Sequence, residues 1–292
     1  MRAGADEGAA GMGREDAGDA EDAARGAGLG ACLAAGGAGA DGSPAVPDSA
    51  GALEPDPSYQ AFVCERRSEI LERLDAALAR AGRDASEVTV EAVSKTVDAS
   101  AVVAAMRAGY AAFGENRPQE LVRKLDALAA AGVAAPRFDM IGNLQKNKIN
   151  QVLGRATLVH SVSSVALAEA ISSRAVRAGL RVPALVECNV SGEASKSGLS
   201  PEEACEAAEG LAALPGLALE GLMTMAPAHD AVAARRTFSG LRELAEDLRA
   251  RTGLELPTLS CGMSDDFEIA AEEGSTLVRL GRIVFSEDYA LA

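Results

Sequence analysis

The sequence predicts an α/β fold: a (β/α)8 (TIM) barrel with one extra N-terminal helix, preceded by a disordered tail. Three observations predict it. From Ser58 onward, short apolar runs alternate with stretches of helical periodicity, the pattern of a parallel sheet. Eight such runs match the strand number of a closed barrel. The residues after each run are small, polar and glycine-rich, which is the texture of a pocket rim. An open doubly wound sheet is the alternative. It needs a glycine-rich turn after the first strand, and Ser94–Lys95–Thr96–Val97–Asp98 is not one.

Residues 1–56 are of different material. Thirty of the first 55 residues are Gly or Ala, so there is almost nothing to bury against the entropy of ordering. The expectation is a disordered extension, either a functional tail or the product of a start codon placed too far upstream. Pro44, Pro47, Pro55 and Pro57 close it as a linker. The barrel is expected over residues 57–292. Phe62, Ile70, Leu71, Leu74, Ala77 and Leu78 recur at helical spacing and predict a helix to about Ala81, stopped by Gly82. Strands are expected at 88–93, 111–113, 138–141, 157–160, 183–188, 218–223, 257–260 and 276–279. Helices are expected near 99–108, 117–131, 145–152, 164–178, 201–213, 231–250 and 265–272, with a short one at the end.

Composition narrows the function. The formal net charge is −15, which argues against non-specific nucleic-acid binding and against an anionic membrane surface. Five cysteines without a CxxC pair read as reduced thiols used as small apolar residues. His160 and His229 are the only histidines, so a multi-histidine metal site is ruled out and no metal is expected. No long uncharged apolar run marks a membrane span, and Asp6, Glu7, Glu15 and Asp16 replace the basic start of a signal peptide. The expected location is the cytoplasm.

In a barrel, chemistry sits at the C-terminal ends of the strands. Lys95 follows the first strand. A lysine partly desolvated in a barrel mouth loses some of its preference for the ammonium form and becomes a nucleophile toward carbonyls. The plain alternative is a rim lysine paired with Glu91 or Glu115. Near the other end, Ser264 reads as a helix cap, with Asp265 and Asp266 complementing the same helix end. Gly274–Ser275–Thr276 precedes the eighth strand. Two Gly/Ser/Thr turns around strands seven and eight suggest a phosphate cradle; ordinary turn chemistry explains them equally well. Arg279 can face a pyridine nitrogen and keep it unprotonated, or pair with Glu272 or Glu273. A reactive lysine and a phosphate cradle together suggest a phosphorylated aldehyde. Pyridoxal 5′-phosphate fits, and so does the sugar phosphate of a class I aldolase with Glu115 as proton shuttle.

The segments "AVSKT", "FGEN", "IGNLQKNK", "VHSV", "NVSGEASKSG", "GLMTM" and "LSCGMSDDFEIAAEEGSTLVRLG" occur in that order. Together they resemble the pyridoxal phosphate homeostasis protein family, over about Ser58 to Tyr289. The resemblance implies a barrel of the alanine racemase N-terminal type, with the cofactor held as an internal aldimine on Lys95. It implies that Asn116, Ser264, Gly274, Ser275 and Thr276 line the cofactor or hold its phosphate. Met223 falls in the matching "GLM", Gly262 and Gly281 shape the loops, and Arg279 faces the pyridine nitrogen. The family's usual histidine before "FIG" is Asp139 here, and Arg117 and Glu287 also depart from its pattern. Those three positions are expected on the rim.

His160 is expected near the mouth, at the end of strand four. Cys188 and Cys261 are expected to be buried and inert rather than reactive. Residues 189–198 are expected to form a mobile loop over the mouth, with Lys196 either an anion contact or solvated. Racemases of the resembling type carry a second β-rich domain that brings a base to the opposite cofactor face, and no such segment follows strand eight before Ala292. The expectation is therefore a non-enzymatic protein of cofactor homeostasis, without catalytic residues, as a monomer or weak dimer. Its expected partners are pyridoxal phosphate and apo pyridoxal phosphate enzymes. A pyridoxal phosphate-dependent amino-acid racemase is the alternative.

Overall fold

The computed structural model describes residues 53–290. The eight apolar runs are strands: β1 Thr89–Val93, β2 Ala112–Glu115, β3 Arg137–Met140, β4 Val159–Val162, β5 Val182–Glu187, β6 Leu217–Met223, β7 Thr258–Ser260 and β8 Leu277–Leu280. Each pairs in parallel with the next, and β8 returns to β1, so the sheet closes into a barrel. Both faces of such strands are covered, which is why they read as apolar runs rather than as alternating ones. The helices are α1 Pro57–Arg80, α2 Ala99–Ala108, α3 Pro118–Ala130, α4 Ile149–Val152, α5 Val165–Arg177, α6 Pro201–Ala212, α7 Ala231–Thr252, α8 Phe267–Glu272 and α9 Arg282–Phe285.

Side-chain oxygens start most of the long helices. Asp98 accepts from Ala101 N, Ser164 from Leu167 N and Asp230 from Ala233 N, while Ser200 and Glu203 form a capping box. Three differences from expectation bear on the site. The helix expected over 145–152 is a 3-10 turn, Lys146–Lys148, followed by the single turn α4. β4 lies two residues further along than expected, which moves His160 from the strand's end into its interior. β2 runs on through Glu115. Residues 1–52 of the expected extension lie outside the described residues.

The apolar core fills the layer between barrel and helices in two large clusters. One is built on β4 to β7 with α5, α6 and α7; the other is built on β1, β2 and β8 with α1, α2 and α3. The barrel interior is different. Its apolar part is small, formed by Leu158, Leu185 and Met223. Charged and polar side chains occupy the rest.

The helix ring is closed by α1. The helix after β8, α9, is one turn long, and α1 packs against α2 and α8. Val63, Ile70, Leu74, Ala77 and Leu78 form its buried stripe. Full burial of one side chain such as Ile70 or Leu74 contributes about 1.5–3 kcal/mol. Polar contacts fix the docking: Gln60 Nε2 donates to Ala104 O, Tyr59 donates its hydroxyl to Phe285 O, and Arg73 pairs with Glu268 at 2.8 Å. No helix among the described residues is long and apolar enough to cross a membrane.

Candidate functional site

The C-terminal ends of the strands form a mouth, and most of the expected site residues meet there. Lys95 follows β1 by two residues. Gly281 follows β8 beside it: a Cβ at Gly281 would sit 3.4 Å from Val93 O. Ser264, in the loop after β7, accepts a hydrogen bond from Ile283 N at 3.3 Å, which ties that loop to the first turn after β8. Asn116 follows β2 and is half-buried. Gly142, after β3, lies so close to it that a Cβ there would come 2.2 Å from Asn116 O. Any larger residue at 142 pushes the two loops apart. Met223 closes the wall at the end of β6.

Arg279 lies beneath the mouth on β8 and is 5 % exposed. Its Nη1 donates to Ser260 O and Oγ, and its Nη2 donates to Thr224 O at 3.1 Å. Burial pulls its guanidinium down from the ordinary arginine range, while Glu91 works in the opposite direction. Glu272 and Glu273, the carboxylates that the sequence offered it, instead pair with Arg80, Arg235 and Arg242 on the outer surface.

Several expectations need correction. Lys95 is exposed, so the desolvation argument for its reactivity does not apply to this structure. Lys95 pairs with neither expected carboxylate: Glu91 is fully buried inside the barrel. Glu115 lies on the helix side of β2, fully buried, paired with the buried Lys124 of α3 and accepting from Ser94 Oγ at 2.6 Å. That arrangement also removes Glu115 as the proton shuttle of an aldolase. Gly274, Ser275 and Thr276 are not at the mouth. They precede β8 and therefore lie at the opposite, N-terminal end of the barrel. There Thr276 Oγ1 accepts from Leu259 N, and Ser275 Oγ donates to carbonyls of β7 and the residue after it. Ser264 does not cap α8, which starts at Phe267; Asp266 Oδ1 accepts from Met263 N instead.

Asp139 is not a rim residue; it is fully buried inside the barrel. His160, expected near the mouth, is equally buried. These two side chains and Glu91 of β1 converge: one ligand atom from each lies within 4.8 Å of the others. His160 Nε2 is 3.4 Å from Asp139 Oδ2 and 3.7 Å from Glu91 Oε2, and its Nδ1 is 3.1 Å from Ser260 Oγ. Arg137 grips Asp139 through Nε and Nη2. Both oxygens of Glu91 lack a hydrogen-bond partner. Burial, followed by the Asp139 charge, pushes the Glu91 carboxyl up to about 8. Burial also holds the His160 imidazole below its ordinary value. The sequence signal for this cluster is a charge inside each of two apolar strands, Glu91 in "TVEAV" and Asp139 in "FDMI".

The remaining candidates behave plainly. Cys188 and Cys261 are buried, and burial pushes the Cys261 thiol up to about 12. His229 is exposed, with φ 60°. The 189–198 segment is tied by Asn189, whose Nδ2 donates to Glu193 O and whose Oδ1 accepts from Gly192 N. Lys196 pairs with Glu193 and donates to Met225 O at 3.1 Å. Arg117 and Glu287 are exposed.

Fold and mouth define a class: a single eight-stranded barrel with an amine after its first strand and a buried arginine on its last. The model of the family described as "Alanine racemase, N-terminal domain" matches residues 70–288. The pyridoxal phosphate homeostasis protein of Aquifex aeolicus is 39% identical over 225 residues, covering 77% of this chain and 97% of that protein. Its counterpart in Escherichia coli is 36% identical over 235 residues, with 78% and 98% covered. Among solved structures, a protein of unknown function from Bifidobacterium adolescentis superposes with a TM-score of 0.74 at 40% identity, covering 79% of this chain and 97% of that one. PipY of Synechococcus elongatus, solved with pyridoxal phosphate bound, gives a TM-score of 0.67 at 30% identity, covering 77% and 100%. The chain belongs to the pyridoxal phosphate homeostasis proteins of the alanine racemase N-terminal domain family. Alanine racemase of Corynebacterium glutamicum, 16% identical with a TM-score of 0.61, shares the fold.

Proposed function

We propose that this chain binds pyridoxal 5′-phosphate in the barrel mouth and serves homeostasis of that cofactor, with Lys95 as its point of attachment. The observation that carries this is the placement of Lys95. It is an exposed primary amine at the end of β1, on the strand next to the one that bears the buried Arg279. The donor set fits the group's three chemistries. Lys95 Nζ suits the aldehyde, the Ser264 hydroxyl with the Gly281 backbone suits the phosphate, and Arg279 suits the ring nitrogen. Asn116 and Met223 line the space between them. When bound, the cofactor supplies an aldehyde that condenses reversibly with primary amines.

The residues divide the work. Lys95 Nζ would hold the cofactor by condensing with its aldehyde, with release of one water. Because Lys95 is exposed, its amine stays open to exchange with other amines, which suits a protein that takes up and releases its cargo. Arg279 carries only N–H donors and no acceptor, so beside a ring nitrogen it favours the unprotonated form. That weakens the ring as an electron sink and favours holding over turnover. The Ser260 and Thr224 oxygens fix the guanidinium in place. The names of the curated relatives support the same role. Apo pyridoxal phosphate enzymes are the partners such a role calls for.

The test is spectroscopic. The full chain, incubated with pyridoxal phosphate and freed of excess, is expected to show a cofactor absorption band. Borohydride should remove that band and leave a reduced adduct on the peptide containing Lys95. Lys95→Ala should show neither. A protein that remains colourless after incubation sinks the proposal. An adduct on another lysine moves the attachment point, and racemisation of an added amino acid at enzymatic rates replaces the holding role with catalysis.

A further inference from the structure

We propose that Glu91, Asp139 and His160 form a binding site for one divalent cation, zinc by preference, inside the barrel beneath the mouth. Three observations carry it. First, of the two separations from His160 Nε2, 3.4 Å to Asp139 lies at a ligand–ligand edge and 3.7 Å to Glu91 just beyond one. Bonds of about 2.0–2.2 Å in a tetrahedron put neighbouring ligand atoms about 3.3–3.6 Å apart. As hydrogen bonds the same distances are poor, and the longer one fails.

Second, the Glu91 carboxylate is fully buried with both oxygens unpartnered, and one of them lies 3.7 Å from His160 Nε2. A buried carboxylate that faces a second carboxylate has two ways to be neutralised, a proton or a cation. Gly114 makes room for this side chain, since a Cβ there would fall 1.9 Å from Glu91 Oε1.

Third, two of the three ligands, His160 and Asp139, have an outer support of the kind that orients metal ligands. Ser260 Oγ has two acceptor positions. It takes Arg279 Nη1–H and can also take His160 Nδ1–H, which leaves Nε2 as an open lone pair. Arg137 holds Asp139 through both oxygens, so Oδ1 remains gripped when Oδ2 turns to a metal.

The donor set sorts the cations. One imidazole and two carboxylates suit zinc, manganese or ferrous iron better than magnesium or calcium, and the absence of thiolate disfavours copper(I). The ligands come from β1, β3 and β4, so the site exists only after those strands have closed, and loading is coupled to folding. The interior position also places the cation's charge near Arg279, through the shared Ser260.

The experiment refolds the full chain from denaturant with Zn²⁺ present, removes excess by gel filtration, and measures zinc by elemental analysis. One equivalent per chain is expected, with a raised thermal midpoint relative to refolding in chelator. Co²⁺ loaded the same way should show the visible bands of a low-symmetry, four-coordinate ion. Glu91→Gln and His160→Gln should each lose the metal and the midpoint shift. Ser260→Ala keeps all three ligands and should weaken binding about 10–100-fold, the usual cost of removing an outer support. It decides the matter if the ligand variants do not fold. Less than a tenth of an equivalent in the wild type overturns the proposal. So does full zinc retention in Glu91→Gln and Ser260→Ala, which would place the metal elsewhere.

Discussion

Two buried charged clusters lie on neighbouring strands, and they answer their charges differently. On the helix side of β2, Glu115 meets the buried ammonium of Lys124, which also donates to Ser94 O, while Ser94 Oγ donates to Glu115. A cation, an anion and two polar groups close on each other, with only Glu115 Oε2 left over. Inside the barrel, Glu91 and Asp139 face one uncharged imidazole, and only Asp139 has a cation in contact. The first cluster is a finished joint that holds Ser94, the residue before Lys95. The second is a set of donors without a complete set of acceptors. Burial alone therefore does not say whether a charged group is structural; the count of partners does.

The largest expected effect comes from breaking the finished joint. Lys124→Met leaves Glu115 buried without its cation and should cost about 3–5 kcal/mol, read as a shift in the denaturant midpoint. Adding Glu115→Gln should recover at least half of that. A loss below about 1 kcal/mol breaks the comparison. Glu91→Leu, measured in chelator, should change stability by no more than about 1.5 kcal/mol in either direction, because it removes a buried carboxyl whose oxygens have no hydrogen-bond partner and which no cation contacts directly. If it proves as costly as Lys124→Met, the interior cluster is also closed.

Smaller effects sharpen the contrast at the mouth. Asp98 caps α2 just beyond Lys95, and its bond from Ala101 N holds its carboxyl below the ordinary range. Asp98→Ala should cost about 1 kcal/mol at neutral pH. A depressed carboxylate stabilises above its unfolded value and loses that contribution as the pH falls through the folded one. The difference between wild type and Asp98→Ala in urea should therefore shrink below about pH 4. Lys95→Met should move stability by less than about 0.5 kcal/mol, as expected of an exposed side chain, while abolishing cofactor attachment. A large destabilisation there would show that Lys95 belongs to the joint beneath it.

The fold was legible because its signals are local. Strands covered on both faces read as apolar runs, and Asp98, Ser164, Ser200 and Asp230 announce their helices. Lys95, Ser264, Arg279 and Gly281 were legible because strand ends can be counted along the chain. Ser275 and Thr276 misled because proximity in sequence to strands seven and eight does not tell which end of the barrel a loop occupies. The loop before a strand lies at the N-terminal end, where those hydroxyls bond to β7. The interior cluster was not legible as a cluster. Glu91, Asp139 and His160 are far apart in sequence and meet only through the register of β1, β3 and β4. A shift of two residues in the expected β4 was enough to move His160 out of it.

The docking of α1 against α2 and α8 has a consequence for synthesis. Among the described elements α1 is made first, yet its apolar stripe from Val63 to Leu78 packs in part on α8, which carries Phe267 and Ala271 and is made long after it. During most of translation that stripe has lost the partners that finally shield it. The nascent chain must therefore carry an unfinished ring, with α1 waiting, until α8 has been made. A stall or truncation before residue 267 leaves a sticky, open barrel rather than a smaller stable one. A chaperone that binds amphipathic helices would find its target at the start of this domain, long before the mouth exists to receive anything.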